Sequence, residues 1–90
     1  MKKYEIYTEN KNLLVIETVV GASFSGFTIQ QTTGYWKGRQ EPSLIITIIT
    51  EDVDAIQSTA EAICAFNAQE SVLVVSTPVL VEFVEGRIPS

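Results

Sequence analysis

The side chains best suited to chemistry lie together in the segment GYWKGRQEPSL, residues 34–44. Two adjacent aromatic groups, two cations and one carboxylate follow one another there: Tyr35, Trp36, Lys37, Arg39 and Glu41. The segment lies between two strand-like runs, and a β-hairpin needs only about two residues at such a place. The surplus of functional groups predicts a loop that is kept for binding.

The rest of the composition narrows the chemistry that this segment can perform. The chain has no histidine and a single cysteine, Cys64, so it lacks the residues of common zinc sites and of Ser-His-Asp triads. Any catalysis would use carboxylates, aromatics, hydroxyls and backbone groups, and we expect no metal or other cofactor. Cys64 has no partner for an internal disulfide, which agrees with a reducing compartment, and its apolar helical surroundings favour a buried core residue over a reactive thiol.

The charge of the chain bears on its partners. There are 11 acidic residues against 6 basic ones, a formal net charge of −5. Non-specific nucleic-acid binding relies on a basic surface, so we expect a small ligand or a protein as partner instead. Lys37, Arg39 and Arg87 are predicted to lie outside the packed elements. No apolar run approaches the ~20 residues that cross a bilayer, and the start MKKYEIYTEN is too polar for a secretion signal, so we expect a cytoplasmic protein without membrane contact.

Hydrophobic spacing predicts the strands that position these residues. Strands are expected at residues 2–8, 27–36, 43–50 and 71–77, and Pro78 separates the last strand from a further short extended piece, VLVEFV. The second strand alternates between two faces, and one of them is largely polar. The polar face is formed by Thr28, Gln30, Thr32 and Trp36.

Two helices are predicted between the strands. The first would be capped by Asn10 or Asn12 and stopped by Gly21, although its β-branched run LLVIETVV suits a strand equally well. The second begins near Asp52 and Asp54, because acidic residues favour the first turn of a helix. Its buried side is predicted to carry four apolar residues: Val53, Ile56, Ala60 and Ile63.

The order of the elements predicts an α+β chain with a ferredoxin-like βαββαβ fold, in which one antiparallel sheet carries two helices on one face and residues 1–90 form a single domain. Residues 44–49 and 72–75 do not alternate apolar with polar, as half-exposed antiparallel strands do. Leaving a second apolar face in water would cost several kcal/mol at ~25 cal/mol per Å2. We therefore predict a closed homotrimer with its sheets inward and clefts between neighbouring subunits.

The segments GYWKGRQEPSLIITIIT and QESVLVV resemble those of PII-like proteins, the superfamily of trimeric ferredoxin-like proteins that includes the PII signal proteins and CutA. The resemblance covers nearly the whole chain. It implies a PII-like homotrimer that holds a small ligand, frequently an adenine nucleotide, in clefts between subunits beside the hairpin of strands two and three. That hairpin is short here, so the long mobile loop with which PII signal proteins touch their partners is not expected.

Within this superfamily, the chain is similar to the phage-type S-adenosylmethionine lyases, which were first described as hydrolases. The similarity lies in GYW at 34–36, in Glu41 before PSLIITI, and in QESVLV at 69–74. Related lyases act on adenylated S-adenosylmethionine, a second messenger of some antiviral CRISPR systems, which implies a role in phage defence. In this reaction the substrate's own carboxylate attacks its carbon γ, expels methylthioadenosine or the adenylated equivalent, and closes homoserine lactone without a metal or an external base.

The resemblance implies roles for nine residues. Glu41 would hold the substrate ammonium, and Tyr35, the second catalytic candidate, would pack with Trp36 against adenine or the sulfonium. The remaining substrate-binding candidates are Gln30, Gln31 and Thr32 for adenine or ribose edges, Lys37 and Arg39 for an appended phosphate, and Glu70 after the last helix.

Each of these roles has a plainer alternative. Glu41 would be a solvated acid beside Lys37 or Arg39, the two aromatics would fill a subunit contact, and Glu70 and residues 30–33 would be ordinary exposed positions. Two functions of different class therefore stay open. One is a lyase that degrades S-adenosylmethionine or its adenylated derivative; the other is a non-catalytic PII-like module that senses an adenine nucleotide. A metal-tolerance protein like CutA is less favoured, because no cluster of histidine or cysteine supplies soft metal ligands.

Overall fold

A computed structural model of the chain describes residues 1–86. The elements follow in the order β1 (Lys2–Glu9), α1 (Leu13–Ser23), β2 (Thr28–Trp36), β3 (Arg39–Thr50), α2 (Val53–Asn67) and β4 (Leu73–Pro78). The strands form one antiparallel sheet in the order β2-β3-β1-β4. The predicted α+β, ferredoxin-like βαββαβ architecture is confirmed.

The core lies between one face of the sheet and the two helices. Ile6 of β1 faces Ile46 of β3 in register, and neither side chain is exposed to water. Their alternate neighbours on the same two strands are also buried and pack against Ile16 of α1 and Ile56 and Ile63 of α2. Each such aliphatic side chain stabilises the fold by ~1.5–3 kcal/mol. Both helices therefore cover the same face of the sheet.

The helices begin close to the predicted positions, with two differences. The side chain of Asp52 accepts a hydrogen bond from the backbone N–H of Ala55 at 3.0 Å, which confirms the predicted start of α2. Val53, however, is 57% exposed and does not belong to the buried side of α2. The LLVIETVV run is helical, and α1 passes through Gly21 and ends at Ser23, so the predicted stop at Gly21 was wrong.

The junction between β2 and β3 is much shorter than predicted. Only Lys37 and Gly38 separate the two strands, with φ angles of 51° and 76°. Two successive positive φ angles are typical of the type I′ turn, whose twist matches that of the flanking strands. Trp36 pairs with Arg39, and Gly34 pairs with Glu41. Residues 34–36 and 43–44 are therefore paired strand, as predicted, but residues 39–42 are strand as well, so the prediction of a loop at 39–42 was wrong.

The face of the sheet opposite the helices, here called the open face, has no cover within residues 1–86. Ile49 and Leu73 of this face are 47% and 61% exposed, and Thr47 interrupts the apolar row of β3. The prediction that residues 44–49 are buried on both sides therefore holds on the helix side alone within one chain. The burial of the open face between copies stays a prediction.

The segment after β4, residues 79–86, has no regular secondary structure, so the further extended piece predicted from VLVEFV is not a strand. Leu80, Phe83 and Val84 of this segment are exposed. Arg87, which was predicted to lie outside the packed elements, falls outside the described residues. Neither helix within residues 1–86 is long and apolar enough to cross a membrane.

Candidate functional site

A cleft with a volume of about 600 Å3 lies where β1 ends and β4 begins. Three pieces of chain form its walls: residues 7–9 at the end of β1, residues 34–36 and 41–43 of the β2–β3 hairpin, and residues 68–73 between α2 and β4. The antiparallel register brings them together, because Tyr7 pairs with both Ile45 and Leu73. The site therefore depends on pairing between strands that are distant in sequence.

Four of the nine predicted site residues line this cleft: Tyr35, Trp36, Glu41 and Glu70. The two aromatic side chains are largely exposed, at 74% for Tyr35 and 66% for Trp36, so their rings have free surface for a ligand. Gly34 stands between the strands of the hairpin, where an added Cβ would lie 3.3 Å from the Cβ of Ser43. A side chain at position 34 would therefore push into the wall of the cleft.

The other five predicted residues lie outside the cleft. Gln31 and Thr32 line a shallower depression of about 450 Å3, together with Asn10 and Glu41. Gln30, Lys37 and Arg39 line neither cavity within the described chain. Gln30 pairs with Ile45, and Nζ of Lys37 lies 5.8 Å from the centroid of the Trp36 ring, a distance that suits a cation–π contact.

The cleft is acidic. Its lining carries the carboxylates of Glu9, Glu41 and Glu70, and none of its lining residues within 1–86 is a lysine or an arginine. Glu9 forms an ion pair with Lys11, at 2.8 Å between the carboxylate oxygen and Nζ. Neither Glu41 nor Glu70 forms an ion pair with another described residue. A cleft lined by charge of one sign raises the local concentration of ligands of the opposite sign, so these two carboxylates favour a cationic or amine-bearing group.

A buried polar network at the cleft was missed by sequence reasoning. Asn67, at the end of α2, is 2% exposed, and its side-chain nitrogen donates hydrogen bonds to the Thr8 hydroxyl at 3.1 Å and to the Gln69 side-chain oxygen at 2.8 Å. The Thr8 hydroxyl in turn donates to the same oxygen of Gln69. Thr8 and Gln69 both line the cleft. Thr8 and Asn67 are 59 positions apart, so the sequence gives no local sign of their contact. The one part of the network that the sequence analysis touched is Gln69, the first residue of QESVLV.

A second contact ties the hairpin to this network. The Ser43 hydroxyl donates a hydrogen bond to the backbone oxygen of Thr8 at 3.1 Å. The wall that carries Glu41 is thereby held to the strand that carries Thr8. The described residues contain no group of three or more histidine, cysteine or acidic side chains that could hold a metal ion.

Comparison with known proteins adds to this geometry. No family model matches the chain, and no curated protein matches it in sequence. Among solved structures, it is similar to CPII, a nitrogen regulatory PII-like protein from Thiomonas intermedia K12, whose structure holds ADP, AMP and bicarbonate. The match has a TM-score of 0.68 and 17% sequence identity, and it covers 93% of this chain and 94% of that chain. At this identity the likeness establishes a shared fold alone, so this chain and CPII share a ferredoxin-like fold.

Proposed function

We propose that the chain is a PII-like module that binds an adenine nucleotide in the cleft beside the β2–β3 hairpin. The observation that carries the proposal is the shared fold with CPII, which holds ADP and AMP. The cleft itself supports it, because a volume of about 600 Å3 falls within the ~300–1,000 Å3 range of ligand pockets. The non-catalytic module is therefore favoured over the lyase.

The aromatic side chains supply the surface for the base. Tyr35 and Trp36 have exposed rings at the mouth of the cleft, and stacking of a base on an aromatic side chain contributes ~1–3 kcal/mol. Lys37 lies over Trp36, so a phosphate attached to the stacked nucleoside would meet a cation outside the acidic lining. Arg39, which pairs with Trp36 in the hairpin, would add a second cation to this phosphate position.

We extend the proposal to a homotrimer whose open faces pack together. Ile49 and Leu73 on the open face are exposed in the single chain, and burial of such apolar surface is the main driving force for association. Trp36 and Gly34 belong to the same face as Ile45 by strand register. Packing through this face would bring a neighbouring subunit to the cleft and add walls to it, including groups that contact Gln30 and Thr32, whereas Gln31 pairs with Leu44 on the helix side of the sheet.

A lyase that degrades S-adenosylmethionine or its adenylated derivative is a second candidate, and one observation favours it. The lining of the cleft carries three carboxylates and, within the described chain, no cation. This charge suits the sulfonium and ammonium of S-adenosylmethionine better than the phosphates of a nucleotide. Glu41 would hold the ammonium, and Tyr35 and Trp36 would face the sulfonium. The substrate carboxylate then forms a bond to carbon γ while the bond from carbon γ to sulfur breaks, and its electron pair neutralises the sulfonium.

A single set of titrations separates the two candidates. Trp36 is the one tryptophan of the chain, so its fluorescence reports on the cleft. Titration with adenosine, AMP, ADP, ATP and S-adenosylmethionine measures affinity, and chromatography of each mixture detects methylthioadenosine. Saturable binding of a nucleotide that is recovered intact supports the sensing module, and release of methylthioadenosine supports the lyase. If no adenosine compound changes the fluorescence or is retained by the protein, both proposals fail.

A further inference from the structure

The hydrogen bonds of Asn67 fix the orientation of its side-chain amide. Its nitrogen Nδ2 lies 3.1 Å from the backbone oxygen of Glu9, and a backbone carbonyl can accept a hydrogen bond but cannot donate one. The reversed amide would place its oxygen against the Glu9 carbonyl oxygen at this buried position, which is unfavourable. In the observed orientation the side-chain oxygen of Asn67 is buried without a hydrogen-bond partner among the described residues. The atom of Asn67 that faces Thr8 and Gln69 is therefore the nitrogen Nδ2, which donates hydrogen bonds.

This orientation passes to Gln69. Its side-chain oxygen Oε1 accepts from Nδ2 of Asn67 at 2.8 Å and from the hydroxyl of Thr8. An amide has one oxygen and one nitrogen, so holding the oxygen in the network leaves the nitrogen Nε2 on the other side. Within residues 1–86, Nε2 of Gln69 donates no hydrogen bond, and Gln69 lines the cleft. The two N–H groups of Gln69 are thus left without an acceptor within residues 1–86, in a residue that lines the cleft.

We propose that Gln69 determines the specificity of the cleft by donating a hydrogen bond to ring nitrogen N1 of adenine. The inference rests on the proposed function and deepens it. The carboxylates of Glu41 and Glu70 line the same cleft and accept hydrogen bonds only, so they suit the exocyclic amine of adenine. A fixed donor next to acceptors matches the Watson–Crick edge of adenine. Hypoxanthine and guanine reverse this edge, because they carry N1–H and a carbonyl oxygen.

The discrimination follows from the cost of an unpaired polar group. With hypoxanthine, the N–H of Gln69 would face the N–H of the base, and the carboxylates would face its carbonyl. Gln69 cannot turn its amide over without placing Nε2 against Nδ2 of Asn67, an amide nitrogen that donates but does not accept. Sites that hydrogen-bond a particular group reject analogues that lack it far more strongly than apolar pockets do. We expect adenosine to bind at least about tenfold more tightly than inosine, which corresponds to one net hydrogen bond of ~1.4 kcal/mol.

The test compares adenosine and inosine, which are both uncharged, by Trp36 fluorescence and by calorimetry. The variant Gln69→Glu keeps an oxygen for Thr8 and Asn67 but replaces the presented donor by an acceptor. We expect its preference for adenosine over inosine to fall by about tenfold or more. Because both nucleosides are neutral, the general effect of the added negative charge on their affinities cancels in the ratio, so the fall in the ratio reports the exchange of a donor for an acceptor. Gln57→Glu, the same substitution on the exposed face of α2, serves as the matched control and should keep the wild-type ratio.

Two further variants test the positioning role of the network. Asn67→Asp places an acceptor against Gln69 and should turn its amide over, which lowers the adenosine preference. Thr8→Val removes one of the two donors to Gln69 and should lower the preference less. The ratio of the two affinities is the readout, because a loss of folded protein alone would reduce both affinities equally. If Gln69→Glu binds both nucleosides with the wild-type preference, the inference is overturned while the proposed function stands. If wild-type protein binds no adenosine compound, the proposed function and the inference both fall.

Discussion

Glu41 lines two neighbouring cavities of the described residues. Its side chain lines the cleft and also the shallower depression near Asn10, and it is half-buried between them. It pairs in register with Gly34, whose missing side chain leaves room beside Ser43. The backbone position of Glu41 is therefore set by its pairing with Gly34. A ligand in the cleft would meet a charge that is already in place.

The substitution Glu41→Gln separates ligands by charge. Removing one negative charge from the cleft should strengthen the binding of ADP by up to ~1 kcal/mol, about fivefold, since Coulomb repulsion from the phosphates falls. The same change should weaken S-adenosylmethionine by a similar factor and abolish lyase turnover if the lyase candidate holds. Titration of both ligands against wild type at one salt concentration makes the comparison. Equal affinities of wild type and variant for both ligands would remove Glu41 from the site.

At the scale of the elements, sequence patterns performed best where a local signal and the tertiary contacts agree. The second helix had both an acidic cap and apolar residues at helical spacing, and Asp52 caps it as predicted. The β-branched run of α1 left helix and strand open, because only packing of Ile16 and Val20 against the sheet decides between them. The hairpin was misjudged because charged and aromatic side chains suggest a loop, whereas its true signal was the pair Lys37 and Gly38, whose positive φ angles close a two-residue turn.

The candidate site was predictable in part for the same reason. Tyr35, Trp36 and Glu41 lie close together in sequence, and the hairpin keeps them together in the cleft. The hydrogen bond between Thr8 and Asn67 joins residues 59 positions apart. They meet only because the end of α2 packs beside the end of β1. A buried asparagine at a helix end looks in sequence like any exposed polar residue. Its role becomes visible when its 2% exposure is known.

The turn between β2 and β3 provides a stability prediction. Lys37 has a φ of 51°, a left-handed conformation that strains an ordinary side chain but suits asparagine. Lys37→Asn should therefore stabilise the fold by ~0.5–1 kcal/mol. Gly38→Ala, at a φ of 76°, should destabilise it by a similar amount or more. Urea denaturation of both variants checks the opposite signs, and two shifts in the same direction would contradict the assignment of the turn.

Adjacent residues of β3 test which face of the sheet is the core. Ile48 is 1% exposed and Ile49 is 47% exposed. Ile48→Ala should lower the free energy of unfolding by ~2–5 kcal/mol, because it leaves a cavity against the helices. Ile49→Ala makes the same chemical change on the open face and should cost less than half as much in the monomer. Comparable losses at low protein concentration would show that the open face is covered within the single chain.

The open face is the part of the molecule whose apolar surface a single chain leaves exposed to water. Its exposed apolar residues lie on β3 and β4. β4 is an edge strand, and the irregular segment 79–86 follows it. An exposed apolar edge and face together favour association. The proposed homotrimer satisfies both features in every copy, since a closed ring uses the same surfaces each time.

Val75 on the open face offers a test of this assembly. It is 36% exposed and pairs in register with Glu5, so a lysine there has a carboxylate beside it in the monomer. Val75→Lys should leave the fold intact by circular dichroism but prevent the trimer, because three buried ammonium groups would be brought together. Light scattering should give three times the 9.9 kDa of the chain for wild type and a single chain for the variant. Wild type that stays monomeric at high concentration would sink the trimer proposal.

The two-residue turn also determines how the binding of a ligand is transmitted to the rest of the protein. Lys37 and Gly38 already have left-handed backbone conformations, so the hairpin contains no flexible loop that a ligand would have to order. The entropy cost of ~1–2 kcal/mol for each newly ordered residue therefore does not arise. Ligand binding in the cleft would therefore act through a rigid-body tilt of the β2–β3 hairpin or through a rotation of whole subunits. A protein that responds to ligand binding would therefore have to recognise the shape of the assembled oligomer and not a loop that becomes ordered on binding.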